Sequence, residues 1–527
     1  MIEINIRKDR TYCSNPKKWQ FSVGSCHAAM ALRTDYCRQL KQVHEELGIR
    51  YVRFHGIFND DMKTLSTFED ILSIPGADHL VERSFHRCGI AFDNVLSCGM
   101  KPFVELSFMP ELLAADTSHG KGFYGSIMSM PKSLSLWKEH ITKFIEFLLH
   151  RYGFEEISQW YFEVWNEPDL QGMFFKGTKE DYFSLYQITA DAIKNISPQL
   201  KVGGPATSGS RWIKDFTEFC RSANVPLDFV STHQYMGEPF IGYDGNQTEE
   251  AENFEKVKEQ MDQASAMFAQ IPAGTPLLTV LRGMFGDPTE TKEMDMDILP
   301  KNSKVVKEIA NELPVFYTEW NMSATFSAYS NDTRKAASYD VINALKTDHI
   351  VDGSSIWCFS DLFEELHQFT EEFHGGFGMM TLNGIKKPVY HGMQMLSETG
   401  NRRIEMQEKT EDIEHFAFET EDKLQILLTR PYVKQEELHS KEITVQIESV
   451  QTPVRVMERR IDEHTGNPLK NWEEMGSPKD MNKKELESLA EMSELKDVGI
   501  QFEVKNGKIV FSTQLGVNDL SFIQIIY

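Results

Sequence analysis

The sequence has few of the features that build disulfide frameworks or zinc sites. Its seven cysteines follow no regular spacing, and neither a Cys-x-x-Cys pair nor a His-Glu-x-x-His motif occurs. An odd number of irregularly placed cysteines argues against a disulfide framework and favours a reducing compartment. We therefore predict a cytoplasmic protein, and the pattern gives no sign of a zinc ion.

Further absences narrow the class of function. No apolar run approaches the roughly 18 residues that span a membrane, and the amino terminus lacks the apolar core of a signal peptide. No glycine-rich strand-to-helix motif for a dinucleotide occurs. The 55 lysines and arginines face 79 aspartates and glutamates, which gives a formal net charge of -24. Such an acidic surface repels nucleic acid and anionic lipid but not a neutral ligand, so we expect no nucleic-acid or membrane partner.

Residues 16–399 alternate short apolar runs with amphipathic helical stretches. In the first unit an apolar run over 21–24 precedes a helical stretch over 35–47, which Gly48 ends. The other predicted strands cover 49–54, 101–106, 160–165, 201–204, 228–233, 315–319 and 353–359. The clearest later helical stretches cover 136–151, 181–196, 212–223, 304–312, 334–346 and 388–397. Eight strand-then-helix units favour a closed (β/α)8 TIM barrel, an α/β fold, over an open doubly wound sheet.

Two regions depart from this alternation. Residues 236–303 form an unusually long connection, in which we predict a helix over 250–268. Long loops at the carboxyl end of a barrel usually shape or cover the active site, and the alternative is a disordered insertion. Residues 400–527 carry short alternating runs that predict a C-terminal β-sandwich accessory domain, with a small helical insert over 482–495. Residues 1–15 also alternate, and we expect them to add a strand to the sandwich.

Two glutamates stand where barrel enzymes place reactive groups, at the carboxyl ends of the predicted fourth and seventh strands. Glu167 lies between Asn166 and Pro168, and Glu319 lies between Thr318 and Trp320. Cleavage of a glycosidic bond with retention needs an acid at the leaving oxygen and a carboxylate about 5–5.5 Å away. We predict that Glu167 is the acid/base, that Glu319 is the nucleophile, and that Asn166 binds a sugar hydroxyl. The alternative is that each glutamate is merely solvated at a strand end.

This chemistry requires no metal and no organic cofactor, because two carboxyl groups and water complete it. We expect the negative charge of Glu319 to raise the pKa of Glu167 and so to keep the acid protonated.

Several segments together resemble glycoside hydrolase family 39, which includes β-xylosidases and α-L-iduronidases. They are residues 51–62, 102–110, the segments around Glu167 and Glu319, 357–365, 373–378, 461–464 and 475–478. The resemblance covers nearly the whole chain and implies a (β/α)8 retaining hydrolase.

The resemblance to the β-xylosidase branch implies further roles. His55 would bind sugar hydroxyls, Trp357 would stack under the sugar ring, and Glu365, or its neighbour Glu364, would bind the non-reducing sugar. His233 and Tyr235 would orient the Glu319 carboxylate, and Phe123, or Tyr124, would close one side of the pocket. For His55, Trp357, His233 and Tyr235 the alternative is packing without a chemical role.

The function implied is that of an exo-acting β-xylosidase, which releases xylose from the non-reducing ends of small xylo-oligosaccharides. The alternatives are the same mechanism on a β-galactoside, a β-glucoside or an α-L-iduronide, and a catalytically inactive sugar-binding barrel. A uronate would require a lysine or arginine aimed at its carboxylate, and none can be located from the sequence. The resemblance also implies a homo-oligomer formed through the accessory domain.

Overall fold

The computed structural model describes residues 2–117, 123–243, 245, 270–291, 295–365, 369–406, 410, 412–431, 438–449 and 451–527. A closed barrel of eight parallel strands forms its centre. The strands are β1 (Ser22–His27), β2 (Tyr51–His55), β3 (Lys101–Leu106), β4 (Tyr161–Val164), β5 (Lys201–Thr207), β6 (Phe229–Tyr235), β7 (Val315–Asn321) and β8 (Gly353–Ile356). This confirms the predicted barrel.

Helices surround the barrel, one after each strand. They are α1 (Thr34–Leu47), α2 (His86–Ser97), α3 (Leu134–Tyr152), α4 (Lys179–Ile196), α5 (Ile213–Ser222), α6 (Ile298–Ala310), α7 (Arg334–Thr347) and α8 (Pro388–Ser397). Shorter pieces between the units include strands Leu65–Thr67 and Val81–Arg83 and helices Phe68–Leu72, Phe154–Ile157, Leu277–Phe285 and Pro288–Thr291. No helix among the described residues is both long and apolar enough to cross a membrane.

The amino ends of the strands are closed by aromatic rings. Phe21, Phe103, Phe229 and Phe316 form one buried cluster, in which Phe21 stacks on Phe316 with 4.6 Å between ring centroids. Aromatic pairs of this kind add about 0.5–1.5 kcal/mol beyond the area they bury. Because this end is filled, a cavity can open only at the carboxyl ends of the strands.

The long connection after β6 differs in part from the sequence-based expectation. α6 begins at Ile298 rather than at residue 304. Pro300 is tolerated there because it lies in the first helical turn, where a backbone N–H has no helical partner. The helix predicted over 250–268 lies outside the described residues. A different helix, Leu277–Phe285, lies within the connection, and we name it the mouth helix.

The remaining strands form two sheets beside the barrel. One contains, in spatial order, Val498–Gly499, Arg455–Ile461, Leu520–Ile526, Lys423–Thr429, Glu414–Glu419, Arg402–Ile404 and Tyr12–Ser14. The other contains Ile2–Ile6, Lys441–Glu448, Lys508–Leu515 and Glu503–Lys505. The sheets share one apolar core, to which the first strand of the chain contributes Ile4 and Ile6. The amino-terminal segment thus pairs with both sheets.

A helical insert links this region to the barrel. It contains helices Pro468–Glu474 and Lys483–Ser493. Trp472 and Leu489 pack there in one buried cluster with Phe373 and Ile385, which belong to the connection after β8. The insert therefore supports a loop that leaves the carboxyl end of the barrel.

Candidate active site

Glu167 is held by an unusual backbone just beyond the end of β4. The φ angles are 72° at Trp165 and 43° at Glu167, in the left-handed region that costs a non-glycine residue about 1–3 kcal/mol. The Glu167 N–H donates to the carbonyl of Ala206 in β5, at 2.9 Å. The neighbouring strand thus fixes a strained turn, and strained turns of this kind concentrate at functional sites.

Glu319 is reached by regular strand geometry. It lies within β7, where its backbone pairs with that of His233 in β6. Both side chains are buried, with 4% of Glu319 and none of His233 exposed. The strand pairing therefore places a histidine next to the carboxylate.

The two glutamates meet at the mouth of the barrel. One carboxylate oxygen of each and a ring nitrogen of His233 lie within 4.8 Å of one another. Retaining glycosidases hold their two carboxyl groups about 5–5.5 Å apart, whereas inverting enzymes leave about 6.5–9.5 Å for a water molecule. The observed spacing suits a reaction in which one carboxylate attacks a carbon atom directly while the other carboxyl group protonates the oxygen that leaves this carbon.

A fully buried arginine organises this level of the barrel. Arg53 Nη1 donates to Glu319 Oε1 at 2.7 Å and Nε donates to Glu163 Oε2 at 2.6 Å. Its Nη2 donates to Asn166 Oδ1 at 2.9 Å and lies 2.8 Å from Glu105 Oε2. A planar guanidinium with five donors suits such a set of oxygens. Arg53 thereby positions both the Glu319 carboxylate and the side chain beside Glu167.

Glu319 also accepts a hydrogen bond from its other side. The Tyr235 hydroxyl donates to Glu319 Oε2 at 3.0 Å. Burial raises the pKa of Glu319, while the positive charge of Arg53 and the nearby His233 lower it. The carboxylate is thus held in one orientation by two donors, both of which favour its ionised form.

Glu167 lies in a different electrostatic environment. Burial raises its pKa to about 8, with a further increase from the negative charge of Glu238 and decreases from Arg211 and Arg53. Glu238, rather than the expected Glu319, is thus the main like-charged neighbour. With that pKa the side chain is mostly protonated at neutral pH, which is the state that a general acid requires.

His233 lies between the two carboxyl groups. Its Nδ1 is hydrogen-bonded to Glu167 Oε1 at 2.9 Å and lies 3.6 Å from Glu319 Oε2. The resemblance implied that His233 orients Glu319, but its hydrogen bond is to Glu167. Burial lowers the pKa of His233 to about 4, so the ring is neutral near pH 7. Donor atoms this close could also hold a divalent metal; in this structure the histidine ring is hydrogen-bonded to Glu167.

His55 is oriented from behind. Its Nδ1 lies 2.7 Å from Glu105 Oε2, and its Nε2 lies 3.6 Å from both Glu319 Oε1 and Glu365 Oε1. Burial lowers the pKa of His55 to about 4. A neutral ring that donates from Nδ1 to a carboxylate leaves Nε2 as an acceptor in the cavity.

Of the other predicted residues, some line the cavity and some do not. Trp357 and Glu365 line the same cavity as the two glutamates, whereas Glu364 binds Arg33 Nη1 at 2.6 Å and does not line that cavity. The side chain of Phe123 lies outside the described residues. Tyr124 stacks on His27 with 4.2 Å between centroids, and its N–H donates to the Glu365 carbonyl at 3.0 Å.

These side chains enclose a cavity of about 300 Å³ at the carboxyl ends of the strands. Its polar lining consists of His55, Asn166, Glu167, Ser208, Tyr235, Glu238, Glu319, Thr325 and Glu365. Its apolar lining consists of Leu170, Met173, Phe174, Phe285, Ala324, Phe326, Trp357, Phe363 and Phe377.

The profile of glycosyl hydrolases family 39 matches residues 2–279 and 287–508. The chain belongs to this family. It is 36% identical over 519 residues to a β-xylosidase of Caldicellulosiruptor saccharolyticus, covering 97% of this chain and 96% of that enzyme. It is 30% identical over 517 residues to a β-xylosidase of Geobacillus stearothermophilus, covering 97% and 92%. The crystal structure of a monomeric β-xylosidase from Caulobacter crescentus CB15 superposes with a TM-score of 0.77 at 27% identity, covering 100% and 99%.

The family 39 chain is therefore a retaining glycoside hydrolase, in agreement with the spacing of its two carboxyl groups. Several residues of the site were not predicted from the sequence, among them Arg53, Glu105, Glu163, Glu238 and His27. The sequence does contain a pattern from which Arg53 could have been predicted. Arg53 and His55 alternate in an otherwise apolar strand, which places both on the inward face of a barrel, and a charge at such a position needs buried partners.

Proposed function

We propose that this enzyme is an exo-acting β-xylosidase that releases xylose from the non-reducing ends of short xylo-oligosaccharides by double displacement. The observation that carries the mechanism is the approach of the Glu167 and Glu319 carboxyl groups to within 4.8 Å. The observation that supports the sugar is the similarity to β-xylosidases along nearly the whole length of both chains.

The proposed reaction has two steps. Glu167 gives its proton to the glycosidic oxygen while Glu319 attacks the anomeric carbon, so that the leaving alcohol departs and a glycosyl ester forms. Glu167, now ionised, takes a proton from water as the water oxygen attacks the same carbon. The bond to Glu319 breaks, and xylose leaves with its original anomeric configuration. Both carboxyl groups return to their starting state.

The end of the cavity near Glu365 fits a terminal sugar. Glu365 Oε1 is buried and accepts no hydrogen bond from the described residues. It lies 3.4 Å from His27 Nε2, and the stacked rings of His27 and Tyr124 stand behind it. A sugar hydroxyl would satisfy the free oxygen, and the rings would block a longer chain. We assign Trp357 as the surface under the sugar ring.

The alternatives make different demands on the cavity. An α-L-iduronide needs a cation for its carboxylate, and the described residues that line the cavity include neither lysine nor arginine. A β-galactoside or β-glucoside differs from a xyloside by one hydroxymethyl group, so direct assay must separate them. An inactive barrel would have no need for two carboxyl groups at the spacing of a retaining enzyme.

The test is hydrolysis of 4-nitrophenyl β-xyloside, β-galactoside, β-glucoside and α-L-iduronide by the purified protein. We expect the β-xyloside to have the highest kcat/KM, and a higher value for any other glycoside would refute the proposed sugar. Glu319→Ala should abolish turnover. Glu167→Ala should lower kcat on these aryl glycosides, because hydrolysis of the glycosyl-enzyme still needs a general base, and it should regain rate with azide, which needs none. Normal turnover by either variant would contradict its assigned role.

The role of Glu365 has a matched control in its neighbour. Glu365→Gln should raise KM because a carboxylate acceptor for sugar hydroxyls is lost. Glu364→Gln should leave KM near the wild-type value, because Glu364 binds Arg33 away from the cavity. Equal effects of the two substitutions would contradict the assignment.

We also propose that the protein self-associates through the accessory region. Sedimentation velocity on the whole chain would test this, and a single species with the mass of one chain would contradict it.

A further inference from the structure

The outer wall of the cavity differs chemically from its inner end. We use this name for six of the lining residues on the loop after β4, the mouth helix and the loop after β7. They are Leu170, Met173, Phe285, Ala324, Thr325 and Phe326. Thr325 is the only polar side chain among these described residues. The inner end, by contrast, contains the carboxylates and His55.

The outer wall adjoins the acid/base. The Leu170 N–H donates to the Glu167 carbonyl at 3.1 Å, and the Met173 N–H donates to the Leu170 carbonyl at 3.1 Å. The turn that bears these apolar side chains is therefore fixed to Glu167 itself. Because the acid protonates the oxygen that joins the sugar to its leaving group, residues next to the acid face the leaving group.

The mouth helix contributes an aromatic ring that is poorly covered by protein. Phe285 is 56% exposed, and Met173, which lines the same cavity, is 41% exposed. Exposed apolar side chains that line a cavity offer a surface that an apolar part of a ligand can cover.

The position of this ring is set by polar contacts on both sides of it. Arg282 Nε donates to the Ser327 carbonyl at 3.4 Å. Asp287 accepts from the N–H of Ser330 at 2.8 Å and from its hydroxyl at 3.0 Å. The end of the mouth helix is thus tied to the loop after β7, which holds Phe285 over the opening.

Two polar groups of the lining lie near the outer wall, but their hydrogen bonds are directed at each other. Ser208 Oγ donates to Glu238 Oε1 at 2.5 Å, and Glu238 Oε2 accepts from the Tyr235 N–H at 2.6 Å. A second sugar in the leaving-group position would bring several hydroxyls that need partners, and an unpaired buried hydroxyl is unfavourable.

We propose that the leaving-group site of this enzyme takes an apolar alcohol, an alkyl or aryl aglycone, in preference to a second sugar. This inference rests on the proposed hydrolysis of glycosides and adds that alkyl and aryl xylosides are cleaved faster than the xylo-oligosaccharides on which the enzyme also acts. The apolar aglycone packs against Leu170, Met173 and Phe285, which lose their contact with water, while the glycone lies at the inner end.

An alkyl glycoside series tests this without changing the chemistry of the bond. Methyl, butyl and hexyl β-xylosides have leaving alcohols of similar acidity, and each methylene that fully leaves water contributes about fourfold to binding. We expect kcat/KM to rise at least tenfold from methyl to hexyl, and xylobiose to fall below the hexyl compound. A flat series, or xylobiose as the better substrate, would overturn the inference.

Variants locate the effect on the outer wall. Phe285→Ala and Met173→Ala should each lower the ratio of hexyl to methyl kcat/KM by at least threefold. Leu277→Ala is the matched control, because Leu277 is 44% exposed on the same helix but does not line the cavity. An equal fall in the control, or no fall in either test variant, would refute the inference.

The series is built on whichever glycone the aryl glycoside panel selects. A different preferred sugar would therefore refute the proposed β-xylosidase activity and still leave the chain-length test intact.

Discussion

Replacing Tyr235 by phenylalanine removes one oxygen atom from the cavity and leaves the ring in place. That oxygen donates to Glu319 Oε2 at 3.0 Å, and the donor stabilises the ionised carboxylate. Without this hydrogen bond the ionised form of Glu319 is less stable relative to the protonated form, so the pKa of Glu319 rises further above its ordinary value. As the proposed nucleophile, Glu319 must be ionised to attack, so we expect activity on the acidic side to be lost at a higher pH.

The size of the effect follows from the type of bond. A hydrogen bond to a charged group contributes about 1.5–3 kcal/mol, and 1.36 kcal/mol corresponds to one pKa unit. The acidic limb of kcat/KM should therefore move upward by about one to two pH units. The basic limb depends on Glu167, which Tyr235 does not hydrogen-bond, and should move much less.

The assay is the pH dependence of kcat/KM for the wild type and Tyr235→Phe on the preferred aryl glycoside. Tyr317→Phe is the matched control. Its hydroxyl is hydrogen-bonded to Ser210 Oγ at 2.9 Å and it lies on the same strand as Glu319 without contacting the carboxylate. An acidic limb unchanged in Tyr235→Phe, or shifted equally in Tyr317→Phe, would refute the reasoning.

Three further substitutions have signs that the structure determines. Burial raises the pKa of Glu167 to about 8 and the negative charge of Glu238 adds to this rise, so Glu238→Gln should move the basic limb of kcat/KM to lower pH. Arg211→Gln removes a positive charge that lowers the same pKa, so that limb should move to higher pH; shifts of equal sign would contradict one of the two predictions. Asp340 is fully buried, neither carboxylate oxygen has a hydrogen-bond partner among the described residues, and burial raises its pKa well above the ordinary value. The unfolded chain ionises this group above about pH 4 while the folded chain keeps it neutral, which costs up to about 1.4 kcal/mol of stability per pH unit. The Tm of Asp340→Asn should therefore exceed that of the wild type by an amount that grows between pH 5 and 8. A Tm difference that does not change with pH would contradict this.

The barrel and its two glutamates were accessible from the sequence for a physical reason. The alternation of apolar strands with amphipathic helices repeats eight times, and each repeat indicates the same architecture. Glu167 and Glu319 stand at the ends of such strands, so locating the strands also locates them. The structure brings the two carboxyl groups together, and their separate roles stay predictions.

The supporting residues were not accessible in the same way. Glu238 lies in the long connection after β6, where no periodic pattern fixes which side chains return to the cavity. Its effect on Glu167 depends on a distance in space, which sequence spacing does not encode. For the same reason the hydrogen bond of His233 could not be assigned to Glu167 rather than to Glu319, because both lie near one ring nitrogen.

The buried charges at the inner end explain what kind of group that end can hold. In the neutral tautomer of His55 that donates to Glu105 from Nδ1, the Nε2 atom facing the cavity is an acceptor. Glu365 and Glu319 add carboxylate oxygens there. Asn166, whose oxygen accepts from Arg53, has its amide nitrogen left as a donor. Hydroxyl groups satisfy such a set because each can donate to one acceptor, whereas a substrate carboxylate would place an unpaired negative charge beside two others. We therefore expect the arrangement that orients the proposed nucleophile to favour neutral sugars over uronates.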